Sequence, residues 1–228
     1  AHALAPAPGI ADAGDAVLFS PHKLLPLPEG AVVSLSAAAV GWAEALDEAL
    51  GRPPQAPDDP KWLSKRRVQA AIPDSLRPLL PQGGQGDFLG DPCPVEPPPP
   101  VAPSDLARRL MGAVDLAEEG RRRRDNARAL REALARIPDL APLFPAERGT
   151  PYRFALRAAS PQAAAERYAA LRRAHLPVES WPDLPHRVAA DPRHAPGALA
   201  LRRSVLLLPV HGALDPDRLA ALYRDALR

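Results

Sequence analysis

The sequence predicts an α/β protein, and three observations carry this prediction. The chain has 228 residues, of which 46% are hydrophobic, and this is enough for one large core or two smaller ones. Short apolar runs of strand type alternate with segments of helix-forming composition along most of the chain. After Ser104 the predicted order is helix, strand, helix, strand, helix, which is typical of a small α/β domain.

Two short strands and a helix are predicted near the beginning of the chain. Residues 15–19, DAVLF, are an apolar run bounded by glycine and proline, and residues 31–36, AVVSLS, form a second run. The turn LPLPEG joins the two strands. The composition of residues 37–50 favours a helix that ends at Gly51.

Proline and glycine are concentrated in residues 51–60 and 73–100, which we interpret as irregular surface segments or linkers. Four consecutive prolines in the second segment favour polyproline II and exclude a helix. Between the segments, KWLSKRRVQAAI predicts a short basic helix. We therefore expect two domains, residues 1–100 with an excursion at 73–100, and residues 101–228.

The second predicted domain begins with a long helix over residues 104–137. Ser104 is its expected N-cap, and Gly112 and Gly120 are positions where it could bend. The remaining predicted elements are strands at 151–159 and 177–181, a helix at 160–175, a short helix leading into a strand at 197–210, and a final helix at 215–228.

Charge and cysteine content argue against several classes of protein. The 29 basic and 27 acidic residues leave a net charge of +2, so we expect no nucleic-acid or membrane partner. We interpret Arg121–Arg124 as solvated helix residues and not as a binding site, because four successive residues point in all directions around a helix and make no single face.

The single Cys93 excludes an internal disulfide and favours a reducing, cytoplasmic location. Residues 1–15 do not have the pattern of a secretory signal. Because the chain lacks an initiator methionine, we expect it to be N-terminally truncated.

Lys23 is the first candidate for a chemical role, since only three lysines accompany 26 arginines. It follows the first predicted strand in the order Ser20-Pro21-His22-Lys23. Ligands of open α/β sheets bind beyond the carboxyl ends of strands, and partial desolvation there would lower the pKa of an amine. The Ser20 hydroxyl is a suitable donor to a phosphate oxygen. These residues alone favour a solvated charge over a chemical role, because a lysine after a strand is usually solvated and a Ser-x-x-Lys match is common by chance.

Longer segments resemble one enzyme family. GDAVLFSPHKLLPLPEGAVVSL resembles the lysine segment of the DegT/DnrJ/EryC1/StrS aminotransferases, which are fold type I pyridoxal-phosphate enzymes. DLARRLMGAVDLAEEGRRRRDNARALREAL resembles the helix that enters the family's C-terminal domain, and LLLPVHGALDPDRLAALYRDAL resembles its closing segment. RFALRAASPQAAAERYAALRRAHLPVESWPDLP resembles the strand, helix and strand between them. The resemblance implies the C-terminal part of an aspartate aminotransferase-like large domain, followed by a small α/β domain.

The resemblance also implies roles for single residues. Lys23 would form the Schiff base with pyridoxal 5′-phosphate and later transfer a proton between the substrate and the cofactor. Ser20 would donate to the cofactor phosphate, and His2 would lie beside the pyridine ring. Trp181 and Asp183 could line a substrate pocket after the second strand of the small domain, although a packed loop tryptophan is more usual. No metal site is expected.

The implied activity is transfer of an amino group from a donor such as glutamate to a keto or aldehyde acceptor. A nucleotide sugar or a related biosynthetic intermediate is the expected acceptor, and a homodimer is the expected assembly. Two departures from the family pattern stand out. Its pyridine-binding aspartate would precede Ala1, and two fewer residues separate Ser20 from Lys23 than in the best-known sugar enzymes. The alternative is a catalytically inactive remnant of the fold that acts as a binding or interaction module.

Overall fold

The structure is a computed structural model that describes residues 14–51, 53–72, 101–144, 149–181, 184–185, 188, 193 and 195–228. Two compact units make up the chain, and each is described by itself. The N-terminal unit comprises residues 1–77 and 96–120, and the C-terminal unit comprises residues 78–95 and 121–228. The predicted excursion at residues 73–100 lies outside the described residues.

A β-hairpin begins the described part of the N-terminal unit. Strands β1 (Ala16–Phe19) and β2 (Val32–Leu35) pair antiparallel, with Phe19 opposite Val32. Phe19 is buried, whereas Val32 is 46% exposed. Both predicted strands are therefore confirmed, and they form a two-stranded sheet among the described residues.

The segment predicted as one helix after the hairpin contains two kinds of helix. A 3₁₀ helix, Ala37–Trp42, continues into α1 (Ala43–Leu50). Gly51 ends α1 with a positive φ of 63°, a conformation that glycine adopts without steric cost. The basic helix is also confirmed as α2 (Pro60–Ala71), which begins where the Asp59 carboxylate accepts the N–H of Trp62 at 2.9 Å.

The long helix predicted from Ser104 is divided in the structure. It consists of α3 (Asp105–Gly112) and α4 (Leu116–Leu134). The division lies at Asp115, whose carboxylate accepts the N–H groups of Ala117 and Glu118, both at 3.0 Å. These bonds satisfy amides that have no helical partner, so Asp115 acts as a second helix start. The predicted helical stretch is thus interrupted after Gly112, one of the two glycines where a bend was predicted, whereas α4 continues through the other, Gly120.

An antiparallel four-stranded sheet forms the centre of the C-terminal unit. Its strand order is β3-β4-β6-β5. The strands are β3 (Leu140–Pro142), β4 (Arg153–Ala158), β5 (Glu179–Ser180) and β6 (Val205–Pro209). The sequence predicted β4, β5 and β6 but missed β3, which is only three residues long and contains a proline.

Helices supply the rest of the core of this unit. They are α5 (Pro161–Arg173), α6 (Pro196–Ser204) and α7 (Pro216–Leu227), together with α4. The side chains that pack together are almost completely buried and come from both strands and helices: Leu130, Leu134, Phe154, Leu156, Leu171, Leu206, Leu208, Tyr223 and Leu227. This mixture of helix and sheet confirms the predicted fold class.

One ion pair joins three parts of the C-terminal unit. Arg167 on α5 donates two hydrogen bonds to Asp139, at 2.7 and 3.0 Å, and another to the carbonyl of Leu227. These bonds from Arg167 lower the pKa of the Asp139 carboxyl below its ordinary value. The guanidinium thus fixes α5 to the segment before β3 and to the last turn of α7.

Candidate functional site

A tight turn follows β1 and carries the two predicted site residues, Ser20 and Lys23. Residues Pro21–Lys23 form a single 3₁₀ turn. The N–H of Lys23 donates to the carbonyl of Ser20 at 3.0 Å, and the N–H groups of Leu24 and Leu25 donate to that of Pro21 at 2.9 and 2.8 Å. Three successive amides are therefore engaged, which fixes the backbone on which Lys23 lies.

Apolar side chains anchor this turn. Pro21 is buried, and Leu24, Leu25 and Leu27 are each no more than 7% exposed. Lys23 itself is exposed. The burial of its neighbours places them in the interior of the N-terminal unit and leaves the lysine at the surface. The turn therefore presents one amine on an immobilised segment, which is the kind of support that a reactive group requires.

The hydroxyl of Ser20 lies at the start of the same turn. Ser20 is 8% exposed, and its side chain does not cap the turn that follows. Because the Ser20 hydroxyl accepts no hydrogen bond from the backbone amides of this turn, it remains able to donate a hydrogen bond to a ligand. The position of Ser20 thus fits the phosphate-binding role that the sequence suggested.

The structure corrects one premise of the sequence argument. A chemical role for Lys23 required it to be partly desolvated beyond the carboxyl end of a strand in an open α/β sheet. The described residues instead place β1 in an antiparallel hairpin, and Lys23 is exposed. The described part of the N-terminal unit therefore does not supply the desolvation that would favour a neutral amine.

A second contact closes the loop between β1 and β2. The Nδ1 atom of His22 lies 3.0 Å from the carbonyl oxygen of Gly30, a hydrogen bond across eight residues. Gly30 has a φ of 118°, which residues with a side chain rarely adopt. No role for His22 was predicted, and the glycine at the end of LPLPEG was the local signal for this contact.

A buried polar contact supports the same loop from α3. Glu29 accepts the backbone N–H of Ser104 at 2.9 Å and also accepts its hydroxyl. Ser104 is fully buried and caps α3 through the N–H of Ala107. Glu29 therefore links the loop that carries Lys23 to the first turn of α3, a role that local sequence does not indicate.

We expect Glu29→Ala to destabilise the N-terminal unit by about 1–3 kcal/mol, because the buried Ser104 N–H and hydroxyl lose a charged partner. Urea unfolding monitored by circular dichroism measures this effect. Glu44→Ala is a suitable control, since Glu44 is an exposed helix residue. Equal stability of the two variants would contradict the anchoring role of Glu29.

The remaining predicted site residues have different positions. His2 and Asp183 lie outside the described residues. Trp181 is partly exposed and belongs to the C-terminal unit, directly after β5. The structure therefore brings together Ser20 and Lys23 on one turn, and it gives no geometry that relates His2 or Asp183 to them.

The strand before Trp181 is strongly polar. Arg153 donates two hydrogen bonds to the Glu179 carboxylate, at 2.7 and 3.1 Å. Arg202, which is 7% exposed, donates to the Ser180 hydroxyl at 2.9 Å. These contacts fix β5 and hence the backbone position of Trp181, and neither arginine was predicted to have this role.

Within the described residues, no three histidine, cysteine, aspartate or glutamate side chains are grouped so that they could hold a metal ion. The same residues contain no helix with the length and apolar character needed to cross a bilayer.

Comparison with known proteins identifies the fold. No family model matches the sequence, and no curated protein matches it significantly. A solved structure of GDP-4-keto-6-deoxy-D-mannose-3-dehydratase from E. coli, with bound hydrated PLP, matches with a TM-score of 0.56 and 13% sequence identity. The match covers 95% of this chain and 55% of the dehydratase chain. The chain has the fold of the part of this enzyme that it matches.

Smaller parts of this fold also match other solved structures. The match with the aminotransferase TlmJ from Streptoalloteichus hindustanus covers 55% of this chain and 36% of the TlmJ chain, with 19% identity and a TM-score of 0.44. The match with a DegT DnrJ EryC1 StrS aminotransferase from Brucella abortus covers 53% of this chain and 34% of the Brucella chain, with 20% identity and a TM-score of 0.40. The chain thus spans between about a third and about half of the solved chains that it matches.

Proposed function

We propose that this chain is part of a pyridoxal-phosphate-dependent aminotransferase in which Lys23 holds the cofactor covalently and Ser20 holds its phosphate. The observation that carries the proposal is the turn Pro21–Lys23. It presents an exposed amine and a nearly buried hydroxyl, three residues apart, on a backbone anchored by buried leucines. The shared fold with an enzyme that was solved with bound PLP supports this assignment.

The two side chains fit the chemistry of this cofactor. Pyridoxal phosphate, when bound, withdraws electrons from the α-carbon of an amino acid and so makes its C–H bond acidic. An amine is the group that reacts with an aldehyde, and the Nζ atom of Lys23 would also take up and return the substrate proton. The Ser20 hydroxyl would donate a hydrogen bond to a phosphate oxygen and thereby orient the cofactor toward Lys23.

The wider proposal follows the family resemblance. The amino donor would be glutamate or a similar amino acid, and the acceptor would be a keto or aldehyde compound such as a nucleotide sugar. We propose a homodimer in the cytoplasm, with His2 beside the pyridine ring and Trp181 and Asp183 near the substrate. The chain spans only part of its structural neighbours, so these statements concern the complete enzyme.

The three lysines of the chain provide an internal test. The full chain is mixed with an equimolar amount of pyridoxal phosphate, reduced with borohydride, digested, and analysed by peptide mass spectrometry. We expect the pyridoxyl group mainly on Lys23, because Lys61 and Lys65 lie on the exposed helix α2, where the neighbouring Ser64 is itself exposed, and not beside a nearly buried hydroxyl on an anchored turn.

Two outcomes of this experiment would contradict the proposal. Equal labelling of Lys23, Lys61 and Lys65 would indicate that Lys23 is a solvated charge like the other two. Absence of labelling at Lys23 would favour the alternative function, an inactive remnant of the fold that serves as a binding module.

A further inference from the structure

A cavity of about 410 Å³ lies in the C-terminal unit, between one face of α4 and the loop that joins β6 to α7. The helix contributes Arg121, Arg122, Asp125 and Asn126, and the loop side contributes residues 212–216. All of these residues belong to the same compact unit. Ligand pockets usually measure about 300–1,000 Å³, so the cavity has room for a small polar molecule.

Asn126 holds the loop and keeps one unsatisfied polar atom at this cavity. Its Nδ2 atom lies 3.0 Å from the carbonyl oxygen of His211 and 3.4 Å from those of Val210 and Leu214. These three acceptors fix the orientation of the amide. Asn126 is 1% exposed, and its Oδ1 atom is buried without a hydrogen-bond partner among the described residues.

The unsatisfied oxygen specifies one part of a ligand. A buried acceptor that makes no hydrogen bond costs free energy, so its presence in a native structure requires an explanation. A bound molecule with an N–H or O–H group would satisfy Oδ1 of Asn126. The three bonds made by Nδ2 already hold the loop, so the stability of the loop does not explain this oxygen.

Two arginines line the same cavity at positions that neighbouring groups fix. Arg122 donates to the carbonyl of Gly212 at 3.5 Å, and Arg121 donates to Asp125 at 3.0 Å. A guanidinium has five N–H donors, so an arginine that a neighbour already holds can still bind a carboxylate. The arginines therefore specify a second part of the ligand, which is an anionic group.

Two carboxylates also line the cavity, and they distinguish between classes of ligand. Asp125 accepts from Arg121 and from Arg128, the latter at 3.2 Å, and Asp215 accepts the N–H of Arg218 at 2.8 Å. A ligand with negative charge alone would face both carboxylates, and a metal cation would face the two arginines. Equal numbers of positive and negative groups match a molecule that carries one charge of each sign.

We propose that this cavity binds a free α-amino acid. The ammonium group of the ligand would donate a hydrogen bond to Oδ1 of Asn126, on the side of the cavity that also carries Asp125. The carboxylate of the ligand would accept hydrogen bonds from Arg122. The site goes beyond the proposed function, because no residue of the turn that carries Lys23 takes part in it.

Titration of the isotope-labelled full chain with L-alanine, followed by NMR of the backbone amides, tests this site. No pyridoxal phosphate is added, so the amino acid cannot react with a cofactor. We expect saturable shifts of the Gly212 and Ala213 amides, which lie on the loop side of the cavity. The amide of Lys23 should not shift.

Two smaller molecules separate the two halves of the ligand. Propionate is L-alanine without its ammonium group, and ethylamine is L-alanine without its carboxylate. Each should bind at least about tenfold more weakly than L-alanine, because each loses one of two charge-assisted contacts. A zwitterion site thus differs measurably from a simple anion site and from a simple cation site.

Substitutions at the cavity locate the binding. Ala213→Trp places a large side chain at the cavity from an exposed position and should raise the Kd for L-alanine about tenfold or more. Arg122→Gln should weaken L-alanine and propionate to a similar degree and leave ethylamine unchanged. It provides a second test if Ala213→Trp does not fold.

Arg124→Gln is the matched control for the Arg122 substitution. Arg124 is exposed on the same helix and does not line the cavity, and its substitution makes the same change in net charge. This variant should bind L-alanine like the wild type. A loss of binding equal to that of Arg122→Gln would show a general effect of charge and would contradict the site.

Three further results would overturn the proposal. The first is the absence of a saturable shift with L-alanine, which would mean that water alone satisfies Asn126. The second is propionate binding as tightly as L-alanine, and the third is unchanged binding by a folded Ala213→Trp chain. None of these results depends on pyridoxal phosphate or on Lys23. A failure of this site is therefore distinguishable from a failure of lysine labelling.

Discussion

Replacement of Lys23 by alanine should reduce the amount of pyridoxal phosphate retained after dialysis by about tenfold or more, because the covalent bond to the amine is then impossible. The amount of pyridoxal phosphate retained is measured by the absorption of the bound cofactor and by mass spectrometry of the borohydride-reduced chain. The fold should be unaffected, since Lys23 is exposed on a turn whose anchors are its buried neighbours Pro21 and Leu24.

Two further variants show whether a loss of cofactor is specific to Lys23. Lys65→Ala removes an exposed lysine from α2 and should retain the cofactor like the wild type. Ser20→Ala should retain Lys23 labelling but weaken it, because one donor to the phosphate is lost. Retention of the cofactor by the Lys23→Ala chain at the wild-type level would refute the proposed covalent role.

Replacement of Phe154 by alanine should destabilise the C-terminal unit by about 3–5 kcal/mol, the usual cost of removing a large aromatic side chain from a core. Phe154 lies on β4 and is 1% exposed, and the guanidinium of Arg131 lies 5.5 Å from its ring centre. The change therefore removes apolar contacts and leaves a cavity in the main core. Urea unfolding measured by circular dichroism gives the free energy directly.

Phe144→Ala is the matched control for this prediction. The side chain of Phe144 is 57% exposed, so its removal should change the free energy of unfolding by less than about 0.5 kcal/mol. Similar losses for the two variants would show that Phe154 does not belong to the main core.

Local sequence patterns predicted most helices and strands correctly because local chemistry determines them. Ser160 and Asp215 were recognisable helix starts, and the structure shows each side chain accepting the N–H three residues later. The apolar run VLLLP likewise predicted β6, one of the two inner strands of the sheet in the C-terminal unit. These features depend on neighbours in sequence and not on distant contacts.

Features that depend on distant contacts were not predicted. Arg123 belongs to a run of arginines that we interpreted as solvated, yet it is fully buried and donates to the carbonyl of Pro151 at 3.4 Å. The run itself gives no indication of which arginine turns inward, because the packing of α4 against other elements decides it. The anchoring of Glu29 on Ser104 has the same character, since 75 residues separate the two.

The candidate site was predictable in part. The residue types and their order suggested Lys23 and Ser20, and the structure places both on one fixed turn. A solvated Lys23 was the interpretation that the local residues favoured, and the structure shows it exposed. The burial of Pro21 and of the leucines beside it was not predictable, because the pattern of the segment does not reveal which side chains face the interior.

The hydrogen bond between His22 and Gly30 has an evolutionary consequence. It connects the two ends of the loop that carries Lys23, so the number of residues between them is set by geometry. In an alignment of related chains, insertions and deletions should accordingly be rare between positions 22 and 30. A glycine at a constant distance after the lysine would then be a better marker of descent than the apolar residues between them, which can exchange with one another.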